Sequence, residues 1–224
     1  CEIVKLDEQL SENAFRAKIN KIVSDPKVHG CFVQLPLPKH LSHIDVGSLI
    51  PPHKDVDGFN ESNIFKLFKG DIGKTALLPC TPKGIITLLQ FYKIDLTGKR
   101  CVVIGRSEIV GKPMALLFLN HHATVTVCHS KTKDLNDHLQ KADIIVSAIG
   151  KANFLRKEML GGNRPVIIDV GIIPLAEGKF CGDVDYEDVF AKVSAITPVP
   201  GGVGPMTVAS LVENLITATE WSVK

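Results

Sequence analysis

The chain has 224 residues, is 45% hydrophobic and 22% charged, and carries a formal charge of +2, so it is long enough for one large domain or two small ones. Its 26 Lys and Arg against 24 Asp and Glu are spread throughout, without the basic stripe that nucleic-acid binding needs. No apolar run approaches the ~20 residues of a membrane span. The cysteines, Cys1, Cys31, Cys80, Cys101, Cys128 and Cys181, form no C-x-x-C and share no ligand spacing with the histidines. They read as small core residues of a reducing compartment, with no metal site expected.

From the N-terminus, Glu2–Leu6 has the mixed alternation of a strand. Ser11 caps a helix from Glu12 to about Val23, with Phe15, Ile19 and Ile22 or Val23 on one face. Asp25-Pro26 stops it, and Gly30–Leu35 reads as a buried strand, completing strand–helix–strand. Pro36-Leu37-Pro38 is a stiff loop, followed by a short helix around Ile44–Leu49. In the polar loop Pro51–Gly58, Asp55 and Asp57 with Lys54 fit either turn chemistry or a functional site. Thr81 as N-cap and Pro82 as first residue open a linking helix with Ile85, Leu88, Leu89 and Tyr92 at helical spacing.

Lys99–Leu119 organises the second half of the chain. Cys101–Ile104 is a short β-branched apolar run, a buried parallel strand. Gly105–Gly111 is a turn with glycine at each end, and Lys112-Pro113-Met114 begins an apolar helix. Strand, turn and helix start predict an anion site, because the first N–H groups of a helix have no internal partner. The spacing departs from G-x-G-x-x-G, with Ser107 where the second glycine stands. A second strand, Ala123–Cys128, ends 23 residues after Gly105 and is followed by His129-Ser130-Lys131-Thr132, with no carboxylate until Asp134. An NAD site holds an acid there for the ribose 2′-hydroxyl, whereas a basic surrounding suits the 2′-phosphate. Arg106, Ser130 and Lys131 therefore favour NADP; the alternative is a solvated turn.

Further strands are read at Ala142–Ile149, at Val166–Val170 and, short, within Cys181–Asp185, with a short helix at Asn136–Lys141 between the second and third. Thr197–Pro205 packs three prolines and three glycines into nine residues. Pro205 is a natural first helical residue, and Val208, Leu211, Val212, Leu215 and Ile216 follow at helical spacing. The loop then sits at a helix N-terminus as a second anion or carbonyl site, or else is an interdomain hinge.

VQLPLP (33–38), KDVDGF (54–59), PCTPKG (79–84), VVIGRSEIVGKP (102–113), CHSKT (128–132), IIDVGI (167–172), GDVDY (182–186) and ITPVPGGVGPMT (196–207) resemble, in order, the motifs of the bifunctional methylenetetrahydrofolate dehydrogenase/methenyltetrahydrofolate cyclohydrolase family. The resemblance implies an α/β fold: a Rossmann-type parallel-sheet domain (83–199) and a smaller folate-binding domain (1–82), completed by a substrate loop and C-terminal helix (200–224). It implies NADP-dependent oxidation of 5,10-methylenetetrahydrofolate and hydrolysis of the product to 10-formyltetrahydrofolate, in the one-carbon metabolism that feeds purine biosynthesis. It implies a cytoplasmic homodimer, with a mitochondrial location still open.

By the same resemblance Gly105, Arg106, Ser107 and Ser130 contact the cofactor, and Ile172 lies where the nicotinamide is held. Val33, Gln34 and Leu35 form the folate side, with Gln34 and Asp57 at the reacting centre and Asp57 holding the pterin. Pro200, Gly201, Gly202, Val203 and Gly204 form the substrate loop. The family's Tyr-x-x-x-Lys motif is absent: Tyr92 and Tyr186 are followed four residues on by Leu96 and Phe190. The expectation is an N-terminal segment preceding Cys1, and little cyclohydrolase activity from residues 1–224 alone, with Lys54 the nearest substitute for the lysine. Two other readings stay open, a non-catalytic folate- and dinucleotide-binding paralogue and an NADP dehydrogenase of another small substrate.

Overall fold

The structure, a computed structural model, describes residues 1–223. The N-terminal part is built on one amphipathic helix, α1 (Glu12–Val23). Its N-cap is Ser11, whose side chain accepts from the Ala14 N–H, and Phe15, Ile19 and Val23 are its buried face. These pack with Leu41, Ile44 and Ile50 into a small core. Two 3-10 turns, Lys39–Leu41 and Gly47–Leu49, replace the single short helix expected there.

The βαβ reading of this part is corrected. Glu2–Leu6 forms no strand, and Ile3 is 84% exposed. Gly30–Leu35 is extended but makes only one parallel bridge, Cys31 to Asp55. Alternation is visible along it, with Val33 half-buried and Phe32 exposed, but a strand needs a ladder, and one bridge is all its neighbours supply. A helix not anticipated from the sequence, α2 (Glu61–Phe68), comes next with Asn60 as its N-cap. The linking helix α3 runs Cys80–Phe91, starting earlier than Thr81 capping implies. Thr81 lies inside it, its hydroxyl 3.0 Å from that of Thr207.

The second half is a five-stranded parallel sheet. In chain order it comprises β1 (Arg100–Ile104), α4 (Gly111–Asn120), β2 (Thr124–Cys128), α5 (Leu135–Leu139), β3 (Ile144–Ser147) and β4 (Val166–Asp169). A two-stranded excursion, β5 (Ile173–Pro174) and β6 (Phe180–Cys181), and helix α6 (Tyr186–Val189) precede β7 (Ala195–Ile196). The spatial order is β2-β1-β3-β4-β7. Of the short strand expected in 181–185, only Cys181 is in a strand, antiparallel in β6, and the sheet's fifth member is β7 instead.

Both faces of the sheet are covered, which is why its central strands read as continuous apolar runs. Cys101 and Val103 of β1 face one core with Met114, Phe118 and Ile85. Val102 and Ile104 face another with Leu139, Leu155 and Val189. β2 is an edge strand with only Cys128 buried.

Helix α7 (Val203–Ser222) begins two residues before Pro205 and returns to pack along α3. Its buried face is only in part the apolar stripe read from the sequence: Val208, Val212, Leu215 and Ile216 are exposed, Leu211 is half-buried against Val56, Leu77 and Ala218, and Ser210, Asn214 and Ala218 are inside. Asn214 is the joint. Its amide nitrogen donates to the carbonyls of Val56 (2.9 Å) and Leu78 (2.8 Å), and its oxygen accepts from Lys83 Nζ at 2.9 Å. Removing a buried partner that leaves carbonyls unsatisfied costs about 1–3 kcal/mol. Asn214→Ala should therefore lower stability by about that amount in urea unfolding; a midpoint unchanged from wild type would contradict the role of the joint.

Candidate functional site

The carboxyl ends of the parallel strands define one side of the site. β1 stops at Gly105, whose φ is 121°, a conformation side chains avoid. A Cβ there would meet the carbonyl oxygen of Ala148, beyond the end of β3. The chain then turns into α4, and Ser107 holds the turn. Its Oγ accepts from the N–H groups of Val110 (3.2 Å) and Gly111 (3.3 Å), and its carbonyl from that of Lys112 (2.9 Å); Pro113 has no N–H. The helix start expected to be an open anion site is thus already partnered from within. Ser107 keeps its hydroxyl proton for a ligand, and Arg106 beside it is exposed and forms no ion pair among the described residues.

The register of β1 and β2 sets Ile104 against Cys128, so Gly105-Arg106 and His129-Ser130 leave the sheet side by side. The second turn is closed locally: the His129 N–H donates to Thr132 Oγ1 (2.8 Å) and the Lys131 N–H to His129 Nδ1 (3.1 Å). Ser130 and Lys131 are left exposed. The sheet therefore gathers Arg106, Ser130 and Lys131 at one end, as the spacing implied.

Ile172 comes shortly after β4 and is 59% exposed. Its Cδ1 lies 3.9 Å from where a Cβ of Gly204 would stand, so the residue expected beside the nicotinamide abuts the expected substrate loop. Pro200 and Gly201 are exposed and Gly202 half-buried, whereas Val203 is inside and, with Gly204, belongs to the first turn of α7.

On the folate side, Gln34 is exposed and its amide donates to the Leu35 carbonyl at 3.1 Å. Val33 packs on the α1 core. Leu35 lines a cavity of about 1090 Å³ between residues 35–68 and 108–116; Asp57, Arg106 and Ile172 lie outside that lining. The two aspartates of the KDVDG loop separate in role. Asp55, 1% exposed, accepts from the N–H groups of Gly58 (3.2 Å) and Asn60 (2.6 Å) and from the Asn63 amide (3.3 Å), and so builds the turn. Asp57 accepts none of these turn bonds and is half-buried. Burial pushes its carboxyl up to about 6, opposed by a hydrogen bond from the Cys80 thiol and helped by the charge of Asp55.

Lys54 is no stand-in for a catalytic lysine. Its Nζ donates to the carbonyls of Val23 (2.8 Å) and Asp25 (3.0 Å) and so caps the end of α1. Sequence reasoning does not single out Cys80, Lys83 and Asn214, which surround the Asp57 loop. The PCTPKG motif contains two of them, but nothing in its spacing says that α7 closes on it.

An α/β sheet with a glycine turn, a basic edge at the strand ends and an apolar residue against a second loop defines a dinucleotide-binding protein with an adjoining ligand face. Its family comes from comparison. Residues 79–223 match the model of the tetrahydrofolate dehydrogenase/cyclohydrolase NAD(P)-binding domain, and residues 1–57 match that of the catalytic domain. The chain belongs to the tetrahydrofolate dehydrogenase/cyclohydrolase family. It is 56% identical over 202 residues to the bifunctional protein FolD of Methanosphaerula palustris, covering 90% of this chain and 70% of the relative. The crystal structure of the bifunctional enzyme FolD of Campylobacter jejuni superposes with a TM-score of 0.90 at 48% identity, covering 96% of this chain and 76% of that one. The Trypanosoma brucei enzyme, solved with NADP cofactor and an inhibitor, gives 0.90 at 35% identity, covering 97% and 75%.

The carboxyl group of Asp57 makes a prediction about stability. A pKa raised from 3.8 to about 6 means that the folded state binds more protons than the unfolded one between those values, so this group's contribution weakens as pH rises through that window. The melting temperature of Asp57→Asn should gain on wild type from pH 4 to pH 7; parallel profiles would contradict the raised pKa.

Proposed function

We propose that the protein oxidises 5,10-methylenetetrahydrofolate to 5,10-methenyltetrahydrofolate with NADP and hydrolyses the product to 10-formyltetrahydrofolate. The observation that supports this reading most is the proximity of Ile172, whose Cδ1 lies 3.9 Å from the place a Cβ of Gly204 would take, since on this proposal the one belongs to the cofactor side and the other to the substrate loop. Family membership and the NADP-bound relative support the choice of ligands.

NADP supplies the hydride acceptor when bound. In this reading Gly105 lets the backbone turn close to it, Arg106 and Ser130 take the 2′-phosphate, and Ser107 offers its hydroxyl proton. Ile172 presents an apolar surface to the nicotinamide. The fit rests on the exposed Arg106 and Lys131 at the strand ends and on the lack of any acid in the 129–132 turn.

Val33, Gln34 and Leu35 flank the folate on this proposal, and the Asp57 carboxylate accepts from the donor edge of the pterin, a charge-assisted contact. Pro200, Gly201, Gly202, Val203 and Gly204 close over it. The oxidised product is cationic, so hydride loss builds positive charge; carbonyl groups of the loop can face that charge without being titrated. The protein's part is alignment, because the redox chemistry belongs to the cofactor.

The same reading divides the chain into a folate-binding part (1–82), an NADP-binding part (83–199) and a returning segment (200–224). It places the enzyme as a homodimer in the cytoplasm, in keeping with six cysteines that form no disulfide. Among the described residues no helix is long and apolar enough to cross a membrane.

One pair of variants tests the assignment. A charge-assisted contact contributes on the order of 1.5–3 kcal/mol, roughly tenfold to a hundredfold in affinity. Arg106→Ala should weaken NADP by that factor and leave NAD and folate binding nearly unchanged. Asp57→Ala should weaken folate and leave NADP unchanged. Equal loss of NAD and NADP in the first, or a wild-type folate constant in the second, would overturn the residue assigned.

A further inference from the structure

Two carboxylates lie buried at the carboxyl end of the sheet, one on Asp169, the last residue of β4, the other on Asp183, and neither has a basic partner among the described residues. Asp169 is 3% and Asp183 0% exposed. Their acceptors are instead filled by backbone and hydroxyl donors. Asp169 Oδ1 accepts from the N–H groups of Gly171 (3.0 Å) and Asp183 (2.9 Å), and Oδ2 from that of Val184 (2.9 Å). Asp183 Oδ2 accepts from Ser147 Oγ (3.0 Å) and the Ile149 N–H (2.8 Å), and Oδ1 from the Lys151 N–H (2.8 Å). The approach is tight: a Cβ on Gly182 would overlap the Asp169 carboxylate. Burial pushes Asp169 up to about 6, and the amides pull it back down.

Burying a charge without a counter-ion is costly, and a core here needs no acid: the neighbouring strand residues are Ile167 and Ile168, both buried. What the acid reaches explains it. Through its carboxylate Asp169 holds the Gly171 N–H, one residue before Ile172. Through its own N–H it donates to Thr197 Oγ1 at 2.8 Å, the residue at which the 198–204 loop leaves β7. One residue, by its side chain at Gly171 and by its main-chain N–H at Thr197, thus holds the two segments that carry Ile172 and Gly204.

We infer that Asp169 is a positioning residue for hydride transfer, fixing Ile172 and the 197–204 loop relative to each other so that cofactor and folate meet in register. The inference rests on the proposed function. Asp169 touches neither ligand; it acts through Gly171 and Thr197. Misplacement of the reacting groups by about 1 Å can cost on the order of a hundredfold in rate, while the polar grip at Arg106 and Ser130 sits on other loops and is untouched.

The test uses the intact enzyme with Asp169→Asn and, separately, Thr197→Val, which keeps the side-chain shape and removes the hydroxyl acceptor. Both should lower kcat of NADP-dependent methylenetetrahydrofolate oxidation, by about tenfold or more for Asp169→Asn. The NADP dissociation constant should stay within about twofold. Should Asp169→Asn not fold, Thr197→Val decides by the same criteria. Wild-type kcat in the folded variants, or NADP affinity falling in step with kcat, would overturn the inference and leave a merely structural acid. Absence of folate oxidation in the unsubstituted enzyme would overturn the proposed function instead.

Discussion

The structure depends on the contact of Asn214 with the KDVDG–PCTPKG region. A helix that returns across the chain, joining the last residues to the first half, normally does so by burying an apolar stripe. Here α7 turns a small, polar face inward, and a single amide donates to two carbonyls of the first half, that of Leu78 and that of Val56, which also accepts from the Cys80 thiol at 3.2 Å. Lys83 completes the amide by donating to its oxygen, and pairs with Glu213 at 3.1 Å. Apolar contacts tolerate sliding; a buried amide with three fixed partners does not. The position of α7, and of the loop from which it starts, is thereby set relative to Asp57.

A division of labour results. Side chains that fix geometry are buried and fully occupied: Asp55 in its turn, Asp169 and Asp183 at the strand ends, Asn214 between the helices. Side chains to which the proposed function gives ligand contacts are exposed or half-open: Arg106, Ser130, Gln34, Asp57 and Ile172. The KDVDG motif shows the split within three residues. Asp55 faces inward and accepts three hydrogen bonds, while Asp57, two residues on, accepts none of them and is half-buried. Composition alone does not distinguish such a pair, because both residues are acids in a polar loop.

The same physics explains what was legible in the sequence. β1, β3 and β4 were readable because a parallel strand covered on both faces must be apolar throughout, and α1 because its cap and its periodicity agree. Gly30–Leu35 carries the same apolar signature yet finds only one bridging partner, and pairing is a property of neighbours. β7 has two residues, too few for any period. The stripe Val208, Val212, Leu215 and Ile216 misled because the helix pair α3–α7 approaches through small residues instead. Of the candidate site, the side-by-side placement of Arg106, Ser130 and Lys131 at the strand ends was legible from local spacing. The groups around Asp57 and the acid pair at 169 and 183 were not, because they are assembled by residues more than 100 and 14 positions apart respectively.

The glycine turn carries a further consequence for how the protein favours one cofactor. In the usual arrangement the helix start itself receives phosphate. With Ser107 standing where a glycine is common, that serine's oxygens consume the first N–H groups of α4. Recognition of negative charge, under the proposed function, thereby falls to side chains rather than to these backbone groups. A backbone donor serves any pyrophosphate alike, whereas Arg106 and Ser130 stand at the edge of the sheet, next to the strand end that meets the ribose. On the proposed function, the turn that closes the helix then also makes discrimination between NADP and NAD depend on the Arg106 guanidinium, a group that recognises phosphate through several donors in a fixed plane.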